Sequence, residues 1–102
     1  MTMTRFRIGD KGAIIVLNYE QSGVDIDISA ADGATMTLVP PSGVSKTVVC
    51  ALGPLSHQTQ YPLDGTEWDE VGTWRIQGEA WGTGPDFNWH SVPVSVQIEA
   101  VY

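Results

Sequence analysis

The densest group of residues able to do acid–base chemistry is one acidic turn, which contains Glu67, Asp69 and Glu70. A pair of carboxylates hydrolyses glycosidic bonds only when a cleft holds them at a defined separation, which a short, strand-rich chain rarely builds. We therefore interpret the cluster first as a solvated turn. The second interpretation is an electrostatic patch that docks a partner, which makes these three residues interface candidates.

Residues of the types that attack substrates or bind transition metals are isolated along the sequence. Cys50, the only cysteine, lies in an apolar run, which is typical of a buried strand residue rather than of a nucleophile. His57 and His90 have no histidine or cysteine partner at a metal-binding spacing. We therefore assign no catalytic, metal or cofactor-binding residue and expect no enzyme.

Three aspartates near residue 30 bear comparison with a calcium loop. An EF-hand loop that begins at Asp25 needs glycine at its sixth position and glutamate at its twelfth, where this chain has Ala30 and Met36. An irregular calcium site that joins Asp25, Asp27 and Asp32 to other loops stays open.

The aromatic residues are numerous, with four tryptophans in 102 residues. Trp74 is the expected core anchor. Trp81, Phe87 and Trp89 surround one glycine-rich loop and are expected to gather at one end of the molecule, as a protein-interface anchor or a platform for sugar rings. The alternative is that Trp81 and Trp89 merely cover each other across a hairpin. Trp68, in the acidic turn, is a further interface candidate.

Strands must position these residues, because helix signals are nearly absent. Six runs are rich in β-branched and aromatic residues or alternate between apolar and polar residues: 13–19, 35–39, 46–52, 58–63, 73–81 and 89–102. The first is expected to be a well-buried core strand, and the second and third a hairpin. Pro62 places the fourth at a sheet edge. The only helical candidate is a turn at 66–70 capped by Thr66.

This pattern predicts a single all-β domain over residues 1–102, an antiparallel immunoglobulin-like sandwich of about seven strands, with a barrel as the alternative. The formal charge is −7, and the five basic residues are scattered, which disfavours nucleic acid and anionic membranes as partners. The amino-terminal residues form no apolar signal core, and no stretch is long and apolar enough to span a membrane. We expect a soluble protein made in the cytoplasm.

Several short runs occur in a familiar order. The first half has Phe6-Arg-Ile-Gly-Asp-Lys-Gly12, Val24-Asp-Ile-Asp-Ile-Ser-Ala-Ala31 and Ala34-Thr-Met-Thr-Leu38. The second half has Tyr61-Pro-Leu63, the acidic turn, Val71-Gly-Thr-Trp-Arg-Ile-Gln-Gly-Glu79 and closing alternating valines. Together they resemble the immunoglobulin-like domains of tailed-phage virions, as at the amino terminus of upper baseplate proteins.

The resemblance implies a structural virion protein that packs against other phage proteins, as a homo-oligomer or in a symmetric array. Baseplate members continue into a long carboxyl-terminal extension that this sequence lacks, so tail, baseplate, neck and capsid decoration all stay open. The alternative function is a carbohydrate-binding module that uses Trp81, Phe87 and Trp89.

Overall fold

The computed structural model describes residues 4–84 and 86–100, and in these ranges the chain forms strands and no helix. Accordingly, no helix in the described ranges is long and apolar enough to cross a membrane. The strands are β1 (Thr4–Arg7), β2 (Lys11–Asn18), β3 (Glu20–Gln21), β4 (Val24–Asp25), β5 (Gly33–Val39), β6 (Lys46–Leu52), β7 (Gln58–Asp64), β8 (Gly72–Thr83), β9 (Asp86–His90) and β10 (Val94–Glu99). The all-β class predicted from the sequence is confirmed.

Eight of these strands form one mixed sheet in the order β1-β10-β8-β5-β6-β7-β2, with β9 also paired to β8. Strands β1 and β10 are parallel, and the other neighbours are antiparallel. The small β3–β4 hairpin forms a second sheet. The predicted hairpin of 35–39 with 46–52 is present as β5 and β6, in a register that places Thr35 opposite Val49.

The large sheet curls on itself into a half-barrel. Strand β6 pairs with β5 along most of its length, but with β7 only at Ala51 and Leu52, so the sheet changes direction there. Strand β2, at the end of the sheet path, lies close to the β9–β10 junction. There the Val92 amide donates to the Asn18 carbonyl at 2.9 Å. One face of the curled sheet therefore encloses a common interior.

The larger of two core clusters fills one end of this interior. Its centre is Trp74, which meets Trp68 edge-on at a ring separation of 5.1 Å, while Phe6 stacks on Trp68 at 5.6 Å. The smaller cluster consists of Tyr19, Ile28, Ala34 and Ala80. Trp74 is therefore the core anchor that the sequence predicts.

Close packing between the two clusters depends on a glycine in the middle of β8. A β-carbon at Gly78 would lie 2.5 Å from the Tyr19 hydroxyl and 3.1 Å from a Leu17 methyl. Only glycine leaves room for the buried Tyr19 ring at this position.

Two strand predictions are wrong in their placement. Strand β2 is a half-buried strand at the end of the sheet path, not a fully buried one: Ile15 and Leu17 point inward, and Ile14 and Val16 are exposed. Strand β7 is not an edge, since it lies between β6 and β2. Pro62 is tolerated because it lies beyond the two residues of β6 that pair with β7, beside the register shift in β2.

The predicted helical turn at 66–70 is absent, and these residues form bends and irregular chain. The last predicted strand is interrupted at 91–93, and its final residues, 101–102, lie outside the described residues. At the break, the buried Ser91 hydroxyl accepts the Gly78 amide at 2.7 Å. The Ser91 hydroxyl thus takes the place of a backbone carbonyl as acceptor in the ladder. On either side of this point, β10 pairs with the first half of β8 and β9 with the second half.

Candidate functional site

The acidic turn folds inward around Glu67, whose side chain is buried. Its carboxylate accepts the Tyr61 hydroxyl at 2.6 Å and the backbone amides of Asp64 and Gly65 at 3.0 to 3.2 Å. The bond to Glu67 raises the pKa of Tyr61 to about 12, because ionised tyrosine would lose its donor beside a negative charge. Glu67 is thus a structural acceptor, and its assignment to a solvated turn or docking patch is wrong.

The other two carboxylates of the turn also have partners within the chain. Lys46 Nζ lies 2.6 Å from Asp69, and the Ser42 hydroxyl donates to Glu70 at 2.7 Å. We call residues 64–70 the acidic clasp, because these bonds fasten the turn to the β5–β6 loop and to the first residue of β6. Trp68, inside the clasp, is 1 % exposed. It is therefore a core residue rather than an interface anchor.

The three aromatic residues expected to form one cluster lie on two faces of the β8–β9 hairpin. Trp89 is directly opposite Ala80, and Phe87 is opposite Gly82, so both share the inward face. Trp81 is opposite Asn88 and points outward. The single platform for sugar rings is therefore not formed, nor do Trp81 and Trp89 cover each other.

Each aromatic ring instead covers a small residue on a neighbouring strand. A β-carbon at Gly33 would lie 2.7 Å from the Trp81 ring, and one at Gly82 would lie 2.5 Å from Phe87. Trp89 packs against the smaller core cluster over Ala80. Aromatic cover of cross-strand glycine is a known way to stabilise a sheet and fix its register.

Trp81 belongs to a face of the sheet that points away from the core. We define the outer face by the residues that the register places on this side of β5, β6, β8 and β9: Thr35, Thr37, Val39, Thr47, Val49, Arg75, Gln77, Glu79, Trp81, Asn88 and His90. Val49 is 80 % exposed and Trp81 is 36 % exposed.

A groove of about 350 Å³ crosses the outer face where β9 gives way to β10. Thr37, Val39 and Pro93 line it, together with the polar side chains of β8. The groove lies beside the interruption at 91–93, which contributes Pro93 to its lining. It is open and shallow, which suits an extended segment better than a small metabolite.

Charged groups are distributed unevenly along this groove. Glu79 accepts a hydrogen bond from Asn88 at 2.8 Å and lies 3.8 Å from His90 Nε2. Gln77 donates to the Ser91 carbonyl at 3.1 Å. Arg75, at the other end, has no carboxylate within 4.0 Å in residues 4–84 and 86–100. Arg75 is exposed on this face.

The three aspartates considered for calcium perform separate tasks. Asp25 lies 3.6 Å from His57 Nδ1, and Asp32 accepts the amide and hydroxyl of Thr83. Asp27 accepts the Ser29 amide at 2.8 Å, and its pKa is lowered by hydrogen bonds from Ser29. Among the residues that the structure describes, no three side chains of metal-binding type come together.

Cys50 is half-buried and packs against both core clusters. Burial raises the pKa of its thiol, so the nucleophilic thiolate is disfavoured. This placement agrees with the interpretation of Cys50 as a small apolar residue.

No protein-family model matches the sequence, and no curated protein resembles it significantly. The alternation of the run 73–81 puts Arg75, Gln77 and Glu79 on one face of the strand, but none of them is among the candidate site residues predicted from the sequence. The sequence did contain a signal for this site, because Arg75 and Trp81 both lie on the polar side of an alternating strand.

Proposed function

We propose that this domain is a non-enzymatic structural protein of a tailed-phage virion and that it binds another virion protein through its outer face. The phage assignment is supported by the ordered runs between Phe6 and Glu79. The binding surface is supported by the placement of Arg75, Val49 and Trp81 on one side of the sheet.

We also infer that the curled sheet is a variant of the immunoglobulin-like sandwich. Its β2–β7 pair corresponds to strands B and E of that fold, and the row β5–β8–β10 corresponds to C, F and G. Two features depart from the constant-type arrangement: β6 pairs with both β5 and β7, and β1 pairs with β10 rather than with β2. These departures join the two layers into one curled sheet.

The observation that carries the proposed binding role is the composition of the outer face. Arginine and tryptophan are the residue types most enriched among those that dominate binding energy at protein interfaces. Arg75 and Trp81 lie six positions apart on β8, a separation of about 20 Å along the strand. That span matches an interface of standard size, about 800 Å² on each partner.

The expected partner is another phage structural protein whose contact surface offers a carboxylate to Arg75 and an apolar patch to Trp81 and Val49. The net charge of −7 favours a partner with a basic rim, since complementary charge accelerates association. The same charge disfavours nucleic acid and anionic membranes. We place the mature protein in the virion, after synthesis in the host cytoplasm.

Mass spectrometry of purified particles tests the virion assignment, which requires the chain at a fixed copy number relative to the major capsid or tail protein. Absence from washed particles, with abundant chain in the infected-cell lysate, contradicts it.

Substitutions then test the surface. Val49→Asp is expected to abolish incorporation, because a charge would replace an 80 % exposed apolar side chain on the β6 side of the outer face. Val44→Asp is the matched control, since Val44 is 74 % exposed but lies in the β5–β6 loop, outside the outer face. Equal incorporation of the two variants would exclude the outer face.

A further inference from the structure

Strand β2 presents a second surface, its unpaired backbone edge. The strand ends the sheet path and pairs only with β7. In an antiparallel pair, facing residues alternate between those that exchange two hydrogen bonds and those that exchange none. Pro62 has no amide hydrogen, so its pair with Ile14 must be of the second kind.

The alternation assigns every other residue of the strand. Ile15 and Leu17 exchange bonds with Tyr61 and Thr59, whereas the backbone groups of Ile14, Val16 and Asn18 point away from β7. The bond from the Val92 amide to the Asn18 carbonyl independently agrees with this direction. In the part of the chain that the structure describes, no other segment bonds to the backbone of Ile14 or Val16.

The side chains of the same two residues are also exposed, Ile14 by 57 % and Val16 by 40 %. Two adjacent outward residues thus combine unused backbone donors and acceptors with apolar side chains. Such an edge is a template for pairing with another strand.

We propose that this edge pairs antiparallel with β2 of a second copy of the chain, about a two-fold axis beside Ile15. Ile14 of each copy then faces Val16 of the other, and the two pairs exchange four backbone hydrogen bonds. A two-fold contact must be self-complementary, and this register joins apolar side chains to apolar side chains on both halves.

Only a short stretch of the β2 edge can pair, which favours a second copy of the chain over a longer strand from another protein. The Asn18 carbonyl is already occupied by Val92, so pairing beyond Val16 is obstructed. In the second copy, the start of β2 is equally unsuited to regular pairing, because the register shifts between Lys11 and Ile14 and Gly12 has a φ of +91°. Regular pairing is therefore confined to the stretch from Ile14 to Val16 on both copies, which suits a short, self-complementary contact.

Sedimentation equilibrium from micromolar to millimolar concentration tests the pairing. The average mass is expected to rise towards that of a dimer, and to rise further with salt, because screening weakens repulsion between two copies of charge −7. Val16→Lys is expected to weaken association at least about tenfold, whereas Val44→Lys, in the β5–β6 loop, leaves it unchanged. A monomer at all concentrations, or equal effects of both substitutions, overturns the proposal.

A disulfide test determines the register even if Val16→Lys folds poorly. In a Cys50→Ser background, chains carrying Ile14→Cys and chains carrying Val16→Cys are mixed and oxidised. Facing residues of a hydrogen-bonded pair have Cα atoms about 5.5 Å apart, which suits a disulfide, whereas diagonal positions are about 7 to 8 Å apart. The mixed disulfide must therefore exceed the two homodimers taken together, because random pairing would make only half of the disulfides mixed. A mixed share of one half contradicts the register. The pairing does not use the outer face, so its failure leaves the proposed function intact.

Discussion

The acidic clasp and the β8–β9 hairpin each combine tryptophan with polar residues, yet they are built differently. In the clasp, one buried carboxylate gathers a hydroxyl and two amides, and Trp68 lies wholly inside. In the hairpin, each aromatic ring covers a small residue across the ladder, which divides the aromatics between two faces. In this protein, polar and aromatic residues form an outward surface on the hairpin, where the backbone groups already have partners in the sheet.

The largest expected effect is the loss of the clasp. Glu67→Ala should lower the free energy of unfolding by about 3 kcal/mol, because it leaves the Tyr61 hydroxyl and two amides without an acceptor. Urea unfolding measures the loss. Asp69→Asn is the control: its side chain is 54 % exposed, and the change should cost less than about 0.5 kcal/mol. Similar losses in both variants would mean that the clasp is not organised around Glu67.

On the hairpin side, Gly78→Ala should destabilise the protein by about 1 to 3 kcal/mol, since the added carbon would lie 2.5 Å from the Tyr19 hydroxyl. Tyr19→Phe removes that oxygen and should reduce the cost of Gly78→Ala. A double-mutant cycle by urea unfolding measures the coupling, expected at about 1 kcal/mol. Additive effects would locate the strain elsewhere.

Substitutions on the two faces of the hairpin should differ by a smaller amount in the free energy of unfolding that they cost. Trp89→Ala should cost about 1 kcal/mol more than Trp81→Ala, because Trp89 packs on the smaller core cluster while Trp81 covers Gly33 from outside. Thermal unfolding of both variants measures the difference. If Trp81→Ala lost more stability than Trp89→Ala, Trp81 would be mainly a structural residue, which would contradict its proposed role in binding.

The smallest effects are in the pH dependence of the clasp. The pKa of Tyr61 is raised to about 12 in the folded protein from an ordinary value of 10.0, so the related stability is complete below pH 10 and is lost as the pH rises to 12. Tyr61→Phe should abolish that part of the alkaline loss. Ultraviolet titration of Glu67→Gln should show the pKa of one tyrosine returning towards 10. An unchanged titration would mean that Glu67 does not cause the raised pKa of Tyr61.

At the acid end, hydrogen bonds from Thr66 lower the pKa of Asp64 below its ordinary 3.8. Because the folded state favours the ionised form, this stability is present above pH 3.8 and is lost as the pH falls through the lower folded value. Asp64→Asn should flatten the stability profile there, as urea titration at several acid pH values would measure. Asp10→Asn, which alters another exposed carboxylate, serves as the control.

Sequence reasoning captured what alternation encodes. The β5–β6 hairpin, the inward Trp74 and the half-buried β8 all follow from period-two patterns and turn residues. It failed where an interaction joins distant positions. Glu67 turns inward because the Tyr61 hydroxyl is placed to bond it, which the local sequence does not reveal. Trp81 and Trp89 face opposite sides because of the register of the hairpin, and the composition of the loop does not determine that register.

The parallel pairing of β1 with β10 has a mechanical consequence. Tension drawn from the start of β1 and the end of β10 pulls these neighbours in opposite senses along their length, while their hydrogen bonds lie across the direction of pull. The four paired positions, from Thr4 opposite Val96 to Arg7 opposite Glu99, must therefore yield together in shear rather than unzip one by one. A chain loaded at its two ends would meet its first resistance at this short ladder, before the core is exposed.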